Sequence, residues 1–207
     1  MWVIRRAPVG VSPPMKLILP ACALILTLVL SGLAHAWEPG PGPLSTVRSG
    51  QAWADVQADG PGASGVIHGV VEINAPPQTV WRIMNDCAMA RRLVANIAVC
   101  KVLKTGGGWD EREQVTQGSF LVPALRNVFR NDYTPFSSIR FRRTDGDLKA
   151  MHGEWRLVAL DNGRRTRVVY ENHIVANFAG PAGLVRDAMR RDTPKVLMNL
   201  KRVCEKG

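Results

Sequence analysis

The sequence predicts an α+β fold in which a curved antiparallel β-sheet wraps around one long C-terminal α-helix. Two observations carry this prediction. From about residue 98 to residue 177, apolar and polar residues alternate with a period of two, and after residue 180 they follow the period of an amphipathic helix. A meander sheet has one apolar face to bury, and a single helix can cover it. A curled sheet wrapped around a helix leaves a space between the two, which is either an internal cavity or a solid core filled by side chains.

The first 36 residues are typical of a cleaved signal peptide. Basic residues precede the apolar stretch Leu17–Leu33, and Ala34-His35-Ala36 forms an A-x-A cleavage pattern. We therefore expect a periplasmic or secreted protein. The alternative is an uncleaved N-terminal helix that anchors the protein in a membrane, although this stretch is short for a span and contains Pro20 and Gly32. Met15-Lys16 would make an ordinary signal start, which leaves the true start codon open between Met1 and Met15.

Residues 37–64 are rich in Pro and Gly and predict a loosely held N-terminal arm, with one short strand within residues 51–59. The domain itself is predicted over residues 65–207. It begins with a β-branched strand over residues 65–74. Two short helices follow this strand, the first after Ala75-Pro76-Pro77 and the second over residues 88–94.

The rest of the domain is predicted as a meander of strands and a final helix. The strands are predicted over residues 98–105, 109–117, 126–134, 138–144, 148–160 and 164–177. Asp145-Gly146 and Asn162-Gly163 are hairpin turn signals between them. The helix begins at residues 180–183 and runs to about Cys204, and Pro194 is expected to kink or break it.

The charge balance is basic. The chain carries +10, and Arg5, Arg6 and Lys16 account for three of these charges, so the part after residue 36 carries 10 − 3 = +7. Such a surface favours anionic partners, including an anionic membrane surface, or serves solubility alone. The basic residues form no long run and accompany no nucleic-acid-binding motif, so we expect no nucleic-acid partner.

Three cysteines remain after the predicted cleavage, because Cys22 leaves with the signal peptide. An oxidising compartment allows two of them to pair, and Cys87 and Cys100 flank a short helical stretch and the start of a strand. We predict a Cys87–Cys100 disulfide, with two free buried thiols as the alternative. Cys204 is expected to be an unpaired helix residue. The sequence has no C-x-x-C spacing and no His at ligand spacing, so we predict no metal site.

No residue of the sequence is assigned a catalytic role. His68, His152 and His173 lie in predicted strands and are expected to face solvent. The sequence has no nucleophile elbow, no H-E-x-x-H motif and no Gly-rich phosphate loop, and it implies no cofactor. The candidate carboxylates are Asp86, at the end of a helix, and Glu154 and Glu171, on the expected outer face of the sheet.

Four stretches of the chain carry a resemblance to a known superfamily. They are Val71–Pro76 with Val80-Trp81, Ser138–Arg142, Gly153–Leu157 and Thr166–Tyr170. In this order and spacing, they resemble the SRPBCC superfamily over roughly residues 65–205. This is the START-like, helix-grip group that includes polyketide cyclases and coenzyme-Q-binding-type proteins. The signal peptide and the paired cysteines depart from its cytosolic and mitochondrial members, so a quinone ligand is not carried over.

The resemblance implies a cavity between the sheet and the C-terminal helix that holds an apolar small molecule or lipid. The implied ligand-binding residues are Phe129, Tyr133, Phe141, Met151, Trp155, Tyr170, Leu184, Ala188 and Met189, with the loop Phe120–Pro123 as a gate. The alternatives are a cyclase- or dehydratase-like enzyme, which would need a buried His, Asp or Glu that points into the cavity, and an adaptor with a filled core that acts through its basic surface. The oligomeric state does not follow from the sequence.

Overall fold

The computed structural model describes residues 36–118, 124–177 and 181–206. The helices are α1 (Pro41–Arg48), α2 (Pro77–Asn85), α3 (Ala90–Leu93) and α4 (Ala182–Glu205), and short 3₁₀ turns span Cys87–Met89 and Asp161–Gly163. The strands are β1 (Trp53–Gln57), β2 (Ser64–Ile73), β3 (Ile97–Gly106), β4 (Trp109–Thr116), β5 (Arg126–Thr134), β6 (Ser138–Gly146), β7 (Ala150–Leu160) and β8 (Arg165–Val175).

The eight strands form one antiparallel sheet in the order β1-β2-β8-β7-β6-β5-β4-β3. This arrangement confirms the predicted meander, since β3 to β8 are neighbours in chain order and only β2 pairs with a strand distant in sequence. Gly153 is required at the middle of β7, because a Cβ built there would lie 2.1 Å from the carbonyl oxygen of Glu171 and 2.7 Å from Cζ of Phe141. A side chain at this position would push these strands apart.

One face of the sheet holds the main core beneath α4. Side chains of β2, β7 and β8 meet those of α2 and α4, and the most deeply buried members are Val71, Ile73, Val80, Val168 and Leu197. Burial of such side chains contributes about 25 cal/mol per Å² of apolar surface and is the main source of the fold's stability. Leu197, Leu200 and Cys204 recur on one stripe of α4. The predicted long C-terminal helix and the helix-grip arrangement are therefore confirmed.

The segment predicted to be a loosely held arm is instead ordered. Residues 41–48 form α1, whose Val47 is only 2% exposed and packs with Val70 and Val169 on the outer face of the sheet. The Pro and Gly content was misleading because Gly40 and Pro41 occupy the N-cap and the first position of the helix, where both residues are favoured. The contact of Val47 with Val70 of β2 and Val169 of β8 thus explains why this segment is held in place.

Helix α4 is unbroken at Pro194, where the sequence predicted a kink or a break. Pro194 removes only one backbone hydrogen-bond donor from the helix. Leu197 and Leu200, in the turn after it, pack into the core and hold this part of the helix in place. The described helices include none that is long and apolar enough to span a membrane. The predicted gate at residues 120–123 and the predicted signal peptide up to His35 lie outside the described residues.

Candidate functional site

A cavity of about 350 Å³ lies between the inner face of the sheet and helices α2, α3 and α4. This volume is within the usual range for small-molecule sites. Residues of β3 to β8 form its floor and walls, and Met189, Thr193, Val196, Leu197 and Leu200 of α4 cover it. The space predicted between the sheet and the helix is therefore present.

An aromatic wall forms one side of the cavity. The rings of Trp155 and Tyr170 stack with their centroids 3.9 Å apart, and the ring of Phe141 lies 6.3 Å from that of Tyr170. The hydroxyl of Tyr170 accepts a hydrogen bond of 2.8 Å from Nδ2 of Asn172. Burial raises the pKa of Tyr170 to about 12, so this side chain is neutral at physiological pH. The wall offers flat apolar surface for a ligand to contact.

Six of the residues predicted to bind a ligand line the cavity. They are Phe129, Phe141, Met151, Trp155, Tyr170 and Met189. The lining does not include Tyr133, Leu184 or Ala188. Tyr133 lies behind Arg112, and its ring packs edge-on against Trp81. Leu184 is 60% exposed in the first turn of α4, which turns its side chain to solvent.

A buried ion pair on β4 lies beside the cavity. The guanidinium of Arg112 donates to Oδ2 of Asp110 over 2.8 Å, and the Asp110 carboxylate also accepts from Asn131 over 2.8 Å. Arg112 further donates to the carbonyl oxygen of Asn85 and to the hydroxyl of Tyr133, each over 2.9 Å. Because Arg112 and Asp110 are both less than 10% exposed, each charge needs the other. Arg112 and Asn131 line the cavity, whereas Asp110 is not among the described lining residues.

Two amide oxygens in the cavity wall lack a hydrogen-bond partner among the described residues. They are Oδ1 of Asn127 and Oδ1 of Asn172. The Nδ2 atom of Asn172 donates to Tyr170, and that of Asn127 contacts Sδ of Met151 at 3.7 Å. A buried acceptor without a donor costs about 1–3 kcal/mol. Each oxygen is itself buried, so its amide group would have to rotate toward the cavity to accept a hydrogen bond from a molecule there.

The sequence analysis missed these polar lining residues. Arg112, Asn127, Asn131 and Asn172 all lie in alternating strands, and a polar residue in such a strand is ordinarily assigned to the solvent face. The register provides the missing signal. Asn127, Phe129 and Asn131 share one face of β5. Because Phe129 is predicted to face inward, both asparagines are expected to face inward too.

The acids that line the described cavity are Asp86 and Asp192, and both are exposed. Asp86 accepts a hydrogen bond from the backbone of Ala88 over 2.8 Å. Burial would raise the pKa of Asp192, but hydrogen bonds from Lys195 and Arg191 outweigh it and lower the pKa. No histidine is among the lining residues of the described part of the chain, and no cluster of His, Cys, Asp and Glu suited to a metal is found in that part.

The three histidines all lie on the outer face of the sheet. The rings of His152 and His173 stack at 4.6 Å between centroids, and His68 lies beneath Trp37. Glu171 is on the same outer face, as the sequence predicted, and its carboxylate is 3.5 Å from Nε2 of His68. None of these groups reaches the cavity.

The predicted disulfide between Cys87 and Cys100 is present. It joins the 3₁₀ turn after α2 to β3, with the two Cα atoms 5.4 Å apart. Cys100 also lines the cavity, so the bridge ties the helical side of the site to the sheet. Cys204 is a free thiol and is buried in the main core.

The sequence matches the family model of polyketide cyclase / dehydrase and lipid transport proteins over residues 73–201. The chain therefore belongs to this family, which confirms the superfamily expected from the sequence. The family includes both ligand-binding or lipid-transporting proteins and cyclases, and both kinds share the helix-grip fold. No curated protein sequence matches this chain significantly.

Solved structures show the same fold. The Zhui aromatase/cyclase from Streptomyces sp. R1128 has a TM-score of 0.59 at 21% identity, over 69% of this chain and 94% of that chain. A STAR-related lipid transfer protein from Xanthomonas axonopodis has a TM-score of 0.58 at 16% identity, over 73% and 98% of the two chains. A START superfamily protein from Mycobacterium smegmatis has a TM-score of 0.58 at 14% identity, over 68% and 97%. At these identities the likeness establishes the fold alone.

Proposed function

We propose that this protein is an exported carrier or sensor that binds one apolar small molecule or lipid bearing at least one hydroxyl or N–H group. The observation that carries the proposal is the combination of an aromatic wall with two unpartnered amide oxygens in one cavity. The apolar body of the ligand would lie against Trp155, Tyr170 and Phe141. Its donor group would satisfy Asn172 or Asn127.

Binding is favoured over catalysis by the state of the acidic groups. A proton-transfer enzyme needs an acid or base within hydrogen-bond reach of its substrate. In the described residues, the buried carboxylate closest to the cavity is that of Asp110, and it is already committed to Arg112 and Asn131. Asp86 and Asp192 are exposed. A cyclase- or dehydratase-like activity in the same cavity remains the alternative that the family suggests.

Export is supported by the N-terminal sequence and by the disulfide. Ala34-His35-Ala36 follows an apolar stretch, as at a signal cleavage site. The Cys87–Cys100 bridge suits the periplasm or the cell exterior, because reducing compartments keep thiols unpaired. The mature protein would then act outside the cytoplasm, either released or held by an uncleaved anchor.

We also propose that the basic surface of the protein contacts an anionic membrane surface. Within the fold, two of the basic residues of α4 already have other partners. Arg186 donates to the carbonyl oxygens of Gly62 and Ser64, and Arg190 pairs with Asp55 and Asp187. Such contacts would leave less of their charge for lipid headgroups.

Native mass spectrometry of the protein purified from its own periplasm, followed by organic extraction, tests the proposal. We expect a co-purifying apolar molecule that carries a hydroxyl or N–H group. Recovery of a reaction product together with turnover of its precursor would support the enzyme instead.

The role of the amide oxygens is tested with two matched probes, 2-naphthol and naphthalene. One hydrogen bond contributes about 1 kcal/mol, so we expect the wild type to prefer 2-naphthol by about fivefold. The Asn172→Leu variant should lose most of this preference while it still binds naphthalene. Titration by fluorescence measures both affinities. Equal preference in the wild type and the variant would contradict the assigned role of Asn172.

A further inference from the structure

Trp37 is the first residue after the Ala34-His35-Ala36 pattern, and it is anchored on the outer face of the sheet. Its ring lies 4.6 Å from that of His68 and 5.8 Å from that of Trp53 between centroids, nearly parallel to both. Ala36, immediately before it, is exposed.

The main chain of Trp37 is held at both ends. Its backbone nitrogen donates to Oε2 of Glu171 over 3.1 Å. Arg156 donates to its carbonyl oxygen and also pairs with Glu38. Together with the stacked ring, these contacts fix the position of the Trp37 backbone nitrogen next to Glu171.

Glu171 is a carboxylate that lacks a permanent cation. Its side chain is 28% exposed, and its ion-pair partners among the described residues are His68 at 3.5 Å and His173 at 3.4 Å. Burial lowers the pKa of His68, so that ring is neutral near pH 7. By contrast, Glu72, on the same face, is paired with both Arg165 and Arg167. A positive charge next to Glu171 would therefore balance the charge of its carboxylate.

We propose that Glu171, Arg156 and His68 form a docking site for the N-terminus of the mature protein, in which the α-ammonium group of Trp37 pairs with the Glu171 carboxylate. Hydrolysis of the Ala36–Trp37 bond by a signal peptidase consumes one water molecule. It leaves a carboxylate on Ala36 and an amine on Trp37, which takes up a proton below about pH 8. Cleavage thereby converts a neutral N–H donor into a cation at the place where Glu171 already accepts a hydrogen bond.

The consequence is that processing stabilises the fold. Hydrogen bonds between charged groups are roughly twice as strong as those between neutral ones. The inference rests on the proposed export and is independent of the ligand. Ligand binding can therefore be measured separately on every variant below, and a failure of the proposed ligand binding leaves this inference standing.

The test compares the full-length gene with a version that inserts Gly-Ser between Ala36 and Trp37, each expressed with its own leader. Intact mass should place the first residue of the native product at Trp37. The insertion keeps the cleavage pattern but moves the ammonium group two residues away from Glu171. We expect it to lower the melting temperature (Tm) by about 2–4 °C.

The same insertion in a Glu171→Gln background should cause no further loss of Tm, because the carboxylate that receives the ammonium group is gone. Glu111→Gln is the matched control, since Glu111 is a half-buried carboxylate on β4 that pairs with Lys104 instead. In this control the insertion should lower Tm as it does in the wild type. The proposal would be overturned by a mature chain that begins elsewhere, by an insertion that leaves the wild-type Tm unchanged, or by an insertion that lowers Tm as much in the Glu171→Gln background as in the wild type.

Discussion

The imidazole of His68 lies on the outer face of the sheet, yet it is not free in solvent. Trp37 covers it, and only 14% of its side chain is exposed. Burial lowers its pKa from 6.5, and the nearby carboxylates of Glu171 and Asp55 offset only part of this effect. A positive charge on the neighbouring His173 acts in the same direction as burial.

The sign of the resulting pH dependence follows from the lowered pKa. Below about pH 6.5 the unfolded chain takes up a proton that the folded chain binds less readily, so acid favours unfolding. We expect the free energy of unfolding to fall as pH is lowered from 7.5 to 5.5. The His68→Gln variant should show a smaller fall than the wild type, because its side chain takes up no proton in this pH range. Urea denaturation at several pH values measures this, and an unchanged slope in the variant would contradict it.

At the level of elements, sequence patterns predicted most of the strands to within a few residues. β5 is predicted and found over Arg126–Thr134, because its alternation is bounded by Pro123 on one side and Pro135 on the other. α1 was missed since its apolar partners, Val70 and Val169, belong to strands far along the chain. A helix of eight residues has little intrinsic stability, and its existence depends on that distant contact.

The disulfide belongs to the same scale, because it joins a helical turn to a strand. Replacing Cys87 and Cys100 together by Ser should lower the free energy of unfolding by about 3 kcal/mol, as the loop-closure model gives for a loop of this size. A thermal melt with and without a phosphine reductant measures the effect. The wild type and a Cys204→Ala control should both be sensitive to the reductant, whereas the double variant should not. A double variant as stable as the oxidised wild type would show that the bridge contributes nothing.

The cavity is a property of the whole molecule. Its walls come from six strands and three helices, and the polar side chains that turn inward can be identified only from an inward apolar residue on the same face of their strand. Leu184 illustrates the limit: its place on the apolar stripe of a helix predicted burial, but in the first turn of α4 its side chain is 60% exposed. Aromatic positions were predicted better, because Phe141, Trp155 and Tyr170 are large and rarely exposed.

The aromatic wall leads to a prediction about ligand binding in the cavity as a whole. Trp155→Ala or Tyr170→Ala should weaken 2-naphthol binding by about fivefold or more, because each removes stacked surface from one side of the cavity. Val158→Ala is the matched control on β7, as Val158 is 40% exposed and absent from the described lining. Calorimetric titration measures the three affinities. Unchanged binding in both aromatic variants would show that the ligand lies elsewhere.

The burial of Cys204 has a consequence for how the protein keeps its covalent structure. Disulfide exchange needs a thiolate as the attacking group, and burial raises the pKa of Cys204 to about 12. The thiol is also enclosed by the main core near the end of α4. Once α4 has docked, the third cysteine is chemically silent, and scrambling of the native bridge is confined to chains that have not yet finished folding.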